Sequence, residues 1–269
     1  MKIWAVANQK GGVGKTTSAV SLAGHLITQG SRVLLVDMDP QGSMTSYFGF
    51  DPDEMPKSIY SLFQLDEFTT ENVSSVLMDT KVEGLKLLPA STALATLDRQ
   101  LGTKEGKGLV LKKSLVALEN HFDYVLIDCL PMLGILMVNA LAACDTLLVP
   151  VQTEFLALKG LDRMMTTLDM VTRSRKAPLK SVIIPTMFDR RTRAAIESLK
   201  VLRETYGDKV WDSVIPVDTK FREASHRGLP ISLMNKSTRG SKAYQVLLDS
   251  LLNPKQEPHL KLVSSTNGF

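Results

Sequence analysis

The stretch that most constrains this chain lies at its start, MKIWAVANQKGGVGKTTSAV. An apolar run over Lys2–Ala7 stops at Asn8 and gives way to Gln9-Lys10-Gly11-Gly12-Val13-Gly14-Lys15-Thr16-Thr17. Ala19, Leu22, Ala23 and Leu26 then recur at helical spacing. A buried strand, a glycine loop and a one-faced apolar helix in direct succession leave few architectures open. Glycines let successive backbone N–H groups turn towards one anion, and the helix adds the positive end of its dipole. Such a unit binds phosphate, with Lys15 reaching the terminal phosphates and the Thr16 hydroxyl placed for Mg²⁺. A glycine-rich link can also be a turn alone; its place between strand and helix is what favours a ligand. The loop departs from the common G-x-x-x-x-G-K-[ST] form. Gln9 stands where the first glycine would fall, and Lys10 adds a second lysine.

Further along, short apolar runs alternate with amphipathic helical patterns. Strands are expected at Lys2–Ala7, Arg32–Val36, Leu85–Leu88, Tyr124–Ile127, Thr146–Val149 and Ser181–Pro185, with a shorter one at Ser213–Ile215. Helices are expected over Lys15–Gln29 (Gly30 as its stop), Gly108–Asn120, Leu133–Ala143, Ala157–Arg173, Arg193–Tyr206, Asp218–His226 and Thr238–Leu252. Residues 51–84 are less regular and read as short helices over the carboxyl edge of the sheet. The alternation predicts an α/β fold, a doubly wound and mostly parallel sheet with helices on both faces. One domain over 1–252 is expected, followed by a polar, proline-containing, disordered tail over 253–269.

A phosphate loop of this type needs a carboxylate at the end of a second strand to hold Mg²⁺, usually through water. Tyr124-Val-Leu-Ile-Asp128 supplies one, with a simple strand-end cap as the alternative. Asp37 and Asp39 end the strand after the loop helix. Where these two strands are neighbours, both carboxylates lie near the γ-phosphate, and one can orient the attacking water. Asp39-Pro40 could also be a loop-entry turn.

K-G-G-V-G-K-T-T together with V-D-M-D-P-Q-G-S resembles the deviant Walker ATPases of the ParA/Soj/MinD group, which partition plasmids, chromosomes and other cellular cargo. The likeness runs along nearly the whole chain. Asp128-Cys-Leu-Pro-Met-Leu-Gly134 is similar to the group's D-C-P-P-S-L-G, and Asn139 through Gln152 to its next helix and strand. Thr186-Met-Phe-Asp-Arg-Arg-Thr192 and Ile215-Pro216 resemble its adenine-side segments. The resemblance implies a slow ATPase that uses ATP and Mg²⁺, works as an ATP-sandwich homodimer and is stimulated by an adaptor protein. It implies that Lys10 crosses to the partner's phosphates, Lys15 stays with its own nucleotide, Thr16 and Asp128 serve Mg²⁺, Asp39 positions the hydrolytic water, and Asp37 supports the switch region or the metal shell. Lys10, Lys15 and Asp39 are thus the candidate catalytic residues. Lys10, Gly11, Gly12, Val13, Gly14, Lys15, Thr16 and Thr17 are the expected phosphate contacts, with Met187 and Pro216 beside the adenine. Leu130 and Met132 depart from the group's Pro and Ser, which suggests altered loop packing rather than lost activity. Ser43 stands where Asn is common.

Members of this group differ in what their ATP form binds. The tail NPKQEPHLKLVSSTNGF carries no apolar stripe, so membrane docking is not expected. With only two or three residues before the first strand, an N-terminal helix-turn-helix is not expected. A Soj-like short form remains, implying ATP-dependent, sequence-independent DNA binding. Candidate contacts are Arg190, Arg191, Arg193, Lys220 and Arg222, with Arg173, Arg175, Lys176 and Arg227 as further basic residues. Any of these can equally be ordinary solvated charge; in sum, phosphate contacts add up. Where Soj-like proteins read I-P-R-N-V-R, this chain has Ile215-Pro-Val-Asp-Thr-Lys220, so one arginine linked to DNA contact is missing. I-P-V-D-T-K-F-R-E-A-S, E-F-L-A-L-K-G-L and P-T-M-F-D-R-R-T look most like orphan ParA proteins. These include the ParC type, which positions chemotaxis arrays at cell poles.

Composition narrows the rest. A net charge of +4 over 269 residues does not by itself mark a nucleic-acid binder. Cys129 and Cys144 lie in apolar surroundings, and the four histidines are scattered, so reduced buried thiols in a cytoplasmic protein (nucleoid-associated or polar) are expected rather than zinc or disulfides. No signal peptide and no membrane span are expected. Two other classes stay open. One is a metabolic P-loop enzyme of related fold, such as dethiobiotin synthetase or a nitrogenase iron protein, whose cluster-ligand spacing Cys129 and Cys144 do not match. The other is a nucleotide-binding scaffold without turnover, against which the presence of Lys15 and Asp39 argues.

Overall fold

Strands such as Val33–Asp37, buried at every position, can only sit inside a sheet covered on both faces. The structure, a computed structural model, describes residues 1–97, 100, 107–173 and 178–253. Its strands are β1 (Lys2–Val6), β2 (Val33–Asp37), β3 (Met78–Asp79), β4 (Leu85–Leu88), β5 (Tyr124–Asp128), β6 (Thr146–Gln152) and β7 (Lys180–Thr186). They form one seven-stranded sheet in the order β3-β4-β2-β5-β1-β6-β7. Every pairing is parallel except β3 with β4. The α-helices of the described residues are α1 (Lys15–Thr28), α2 (Ser43–Tyr47), α3 (Ile59–Leu62), α4 (Thr70–Ser74), α5 (Val110–Ala117), α6 (Ile135–Ala143), α7 (Phe155–Thr172), α8 (Arg193–Tyr206), α9 (Lys220–Arg227), α10 (Ile231–Met234) and α11 (Arg239–Leu252). None of them is long and apolar enough to cross a membrane.

Because successive strand side chains point to opposite faces, each strand feeds two cores. Trp4, Val6, Leu35 and Leu126 pack on one face with Leu22 and Leu26 of α1 and Tyr244, Leu247 and Leu248 of α11. Ala5, Ala7, Leu34, Val36, Val125 and Ile127 pack on the other with residues of α5, α6, α7 and α8. Strand order reverses at β1, with β5, β2 and β4 on one side and β6 and β7 on the other. In open α/β sheets the crevice at the carboxyl end of such a strand is where ligands bind. The glycine loop opens into that crevice.

The parallel, two-faced α/β sheet matches the expected fold class, and its differences are local. At Ser213–Ile215 no strand forms. Trp211 and Ile215 donate N–H bonds to the carbonyls of Ile183 and Pro185 on the β7 edge, leaving isolated bridges at Val210 and Pro216. Bends at Asp212 and Ser213 and the missing N–H of Pro216 prevent a continuous ladder. Residues 51–84 contain the expected short helices, α3 and α4, and also the antiparallel β3, which a two-residue strand pairing with Leu87 and Lys86 does not advertise in sequence. α6 begins at Ile135 behind Gly134, two residues later than expected. Apart from Asn253, the expected disordered tail falls outside the described residues.

α1 is clamped to the carboxyl-terminal helices. Ser18 Oγ and Tyr244 Oη lie 2.8 Å apart, and His25 Nε2 lies 2.9 Å from the Ser241 carbonyl. Gly24 lets Pro230 and Ser232 come close: a Cβ there would stand 2.3 Å from Pro230 Cβ and 2.6 Å from Ser232 Oγ. Gly24→Ala is therefore expected to cost about 1–3 kcal/mol, seen as a lower denaturant midpoint at unchanged slope. Gly160→Ala in α7 meets nothing within 4 Å and should gain about 0.5–1 kcal/mol of helix stability. Equal effects at the two glycines would remove crowding at Gly24 as the cause.

Candidate nucleotide-binding site

The loop between β1 and α1 is tied down at both ends. The Ala7 N–H donates to the Leu148 carbonyl, and the buried Asn8 amide donates to the Pro150 carbonyl at 2.8 Å. Asn8 Oδ1 accepts the Lys10 N–H at 2.9 Å, and Thr186 Oγ1 donates to the Val13 carbonyl at 2.9 Å. Gly12 and Gly14 have φ of +73° and +90°, a backbone that only glycine adopts freely. Gly11 has no such requirement, yet a Cβ at 11, 12 or 14 would point into open space. α1 begins at Gly14 with no side-chain cap and no acidic residue in its first turn. Its first N–H groups are thus left for an anion.

The two lysines have unlike settings. Lys15 is buried, and its Nζ donates to the Lys10 carbonyl at 3.3 Å across the loop. Lys10 points outward, and its Nζ pairs with Glu154 Oε1 at the entry to α7; the two side chains are 32% and 41% exposed. Glu154 heads the E-F-L-A-L-K-G-L segment, whose sequence assigns it no role.

Three carboxylates gather at the ends of β2 and β5, where Asp37 and Asp128 are register partners. Thr16 Oγ1 donates to Asp128 Oδ2 at 2.5 Å, while Asp128 Oδ1 is buried with no partner. Burial pushes the Asp128 carboxyl up to about 8, and the neighbouring Asp37 charge adds to the rise. Burial also raises Asp37, to about 6, against opposing hydrogen bonds from Thr45. Both Asp37 oxygens are engaged: Oδ1 by the Asp39 N–H at 3.1 Å, Oδ2 by the N–H and hydroxyl of Thr45 at 2.8 Å each. Of the two metal-shell candidates, Asp128 is the one with an oxygen that has no hydrogen-bond partner. An unpartnered buried carboxylate oxygen is costly, and a hydrated divalent cation beside Thr16 would relieve it, so these residues fit Mg²⁺. Asp39 is half-buried, with Oδ1 accepting the Gln41 N–H at 2.9 Å.

On the expected base side, Met187 holds φ +52° and is 38% exposed. A non-glycine residue in that region costs about 1–2 kcal/mol. Pro216 lines a cavity of about 600 Å³ with Phe188, Val214 and Val217 as apolar walls and Asp189, Asp218 and Arg239 as polar ones. The basic candidates are mostly paired. Arg191 grips Asp189 with two bonds at 2.9 and 2.7 Å, which holds the Asp189 carboxyl down at about 2. Arg193 pairs with Glu197 at 2.7 Å and Lys220 with Glu223 at 2.6 Å. Arg190 and Arg222 are exposed. Arg175 and Lys176 lie outside the described residues. The two unusual residues after Asp128 part company: Leu130 is buried in the core, and Met132 is 64% exposed beside Leu133.

Residues 1–181 match a family described as an AAA domain. The chromosome-partitioning ATPase Soj of Treponema pallidum is 39% identical over 241 residues, 89% of this chain and 92% of that one. Cobyrinic acid a,c-diamide synthase from Mycobacterium smegmatis, with bound ATP analogue and magnesium, is similar in structure (36% identity, TM-score 0.82, 94% of each chain). A plasmid partition protein from Borrelia burgdorferi superposes with TM-score 0.71 at 26% identity, over 94% of this chain and 98% of that one.

Gly11→Ala separates folding from binding at this loop. With no left-handed φ and no neighbour within 4 Å, the variant should melt like the wild type without ligand. Its Cβ would occupy the space a phosphate needs, so most of the melting-temperature rise given by a nucleoside triphosphate should vanish. An undiminished rise would place the phosphates elsewhere.

Proposed function

The chain belongs to the ParA/Soj family of ATPases, and we infer that it is a nucleotide-controlled dimer switch that partitions or positions a cellular cargo. The supporting observation is the unlike setting of two lysines on one phosphate loop. Lys15 is buried and turned inward over the loop, whereas Lys10 is turned outward and held only by a half-exposed carboxylate.

ATP and Mg²⁺ are the cofactors. The N–H groups of Gly11 to Thr17 and the Lys15 ammonium hold the triphosphate, while Met187 and Pro216 flank the adenine. When bound, Mg²⁺ neutralises charge between the β- and γ-phosphates; Thr16 and, through water, Asp128 would hold it. Asp39 orients the water that attacks the γ-phosphate, giving ADP and phosphate. Lys10 leaves Glu154 for the phosphates of a second copy, so full charge neutralisation requires two subunits facing each other. Dimer state and nucleotide state are thereby coupled, and an adaptor protein can act by stimulating turnover. Non-specific DNA is the partner suggested for the ATP form, with Arg190 and Arg222 ready to contact phosphate. Arg191, Arg193 and Lys220 would first exchange ion pairs worth about 0–1 kcal/mol each. Cargo of the polar chemotaxis type fits the orphan-ParA segments. The M. smegmatis likeness favours one other possibility, an ATP-dependent synthase on the same fold. Its turnover would wait on an organic acid substrate, whereas the switch hydrolyses Mg·ATP alone.

Lys10→Ala is expected to keep ATP binding and lose ATP-dependent dimerisation, measured by gel filtration with light scattering in a slowly hydrolysed ATP analogue. A normal dimer would sink the role of Lys10 in the partner's site. For DNA, an electrophoretic shift of duplex should require ATP, weaken steeply with salt and shrink in Arg190→Ala/Arg222→Ala. No ATP-dependent shift at low salt would leave protein partners as the readout.

A further inference from the structure

Thr45 is fully buried in α2, and three hydrogen bonds converge on it. Its N–H and its hydroxyl both donate to Asp37 Oδ2 at 2.8 Å, and the hydroxyl accepts the Ala90 N–H at 2.9 Å. On its other oxygen Asp37 accepts the Asp39 N–H at 3.1 Å. A continuous chain of bonds therefore runs from the residue following Pro89, beyond β4, through Thr45 and Asp37 to the backbone of Asp39. Beyond that point Asp39 heads a tight turn, its carbonyl accepting the Gly42 N–H at 2.8 Å. Gly42 holds φ +60°, with Pro52 seated where a Cβ would lie.

A valine would fill the Thr45 site with nearly the same volume, so packing does not require the hydroxyl. What the hydroxyl supplies is direction: with the Thr45 N–H it forms a two-donor clamp on one oxygen of Asp37, so that the other faces the Asp39 N–H. Hydrogen bonds to an ionised acceptor are the stronger kind and fix geometry as well as energy. In-line attack on phosphate depends on such placement, and a shift of about 1 Å can cost about a hundredfold in rate. Given Asp39 as the residue that orients the attacking water, on which this inference rests, we propose that Thr45 is a positioning residue for hydrolysis, acting on Asp39 through Asp37. Removing the hydroxyl leaves the Ala90 N–H without its acceptor and leaves Asp37 Oδ2 with the Thr45 N–H alone, which loosens the carboxylate's orientation. The loop from Lys10 to Thr17 makes no bond to Thr45, so nucleotide affinity is untouched.

The test compares Thr45→Val, Thr45→Ser, Asp39→Ala and the double variant Asp39→Ala/Thr45→Val in the full chain. Steady-state phosphate release gives kcat, binding of a fluorescent ATP analogue gives affinity, and thermal melting reports folding. Thr45→Val is expected to lower kcat about tenfold or more with affinity within about twofold. Thr45→Ser should restore most of the rate, and the valine should add no loss once Asp39 is alanine. If Thr45→Val does not fold, Thr45→Ala is read in its place. A kcat within about twofold of wild type, a serine variant as slow as valine, or rate and affinity falling together overturns the positioning role. So does an undiminished further loss on the Asp39→Ala background. Wild-type turnover by Asp39→Ala removes Asp39 from the chemistry itself. An inactive Asp39→Ala beside a fully active Thr45→Val removes only Thr45.

Discussion

The site depends on β2 and β5 being neighbours in a register that sets Asp37 directly beside Asp128. Two buried carboxylates so placed repel each other, and neither reaches bulk water. The chain resolves them differently. Asp37 is satisfied from within, by donors on Asp39 and Thr45, and so belongs to the architecture of the loop that follows it. Asp128 is satisfied on one oxygen by Thr16 and left short on the other. That oxygen answers to whatever positive charge arrives with a ligand. Strand order also sets where α1 begins, since β1 pairs with β5 and delivers Thr16 to the Asp128 side.

Local chemistry was legible in the chain, and long-range pairing was not. The strand–loop–helix unit announces itself because the φ demands of Gly12 and Gly14 and the spacing of Leu22 and Leu26 are properties of neighbours in sequence. Asp37 and Asp128 were readable as carboxylates at strand ends. That both Asp37 oxygens already accept hydrogen bonds was not, because the pair of donors on Oδ2 comes from a helix eight residues on. Glu154 heads the E-F-L-A-L-K-G-L segment, but nothing in that segment points to Lys10, 144 residues away. The basic residues read as a loose positive surface. Their acidic partners, two to four residues away, were in plain view for Arg191, Arg193 and Lys220, and the i,i+4 and i,i+3 geometry of the pairs needed only the helices to be placed.

The fold does not by itself separate partitioning from biosynthesis, since a diamide synthase shares it at 36% identity. Any distinction must come from what surrounds the loop. Met132 and Leu133 on one side, and Phe155 and Leu156 just past Glu154, are large apolar side chains left in solvent, the last two 65% and 70% exposed. In the same stretch Leu130 is drawn into the core. Replacing a proline and a serine at 130 and 132 therefore anchors one end of the segment and roughens the other.

The Lys10–Glu154 contact has a kinetic consequence. Both partners are substantially solvated, and an ion pair of this kind is worth about 0–1 kcal/mol, close to thermal energy. Glu154 cannot hold Lys10 against a triphosphate, nor can it delay its departure beyond the side-chain timescale of nanoseconds. It can only keep the ammonium near the loop's outer rim between visits, like a perch rather than a lock. In the proposed dimer switch, the waiting time for two copies to engage would then be governed by diffusion and by the charge on the nucleotide. Salt screens the perch and, in the proposed dimer, would screen the encounter of the two copies as well.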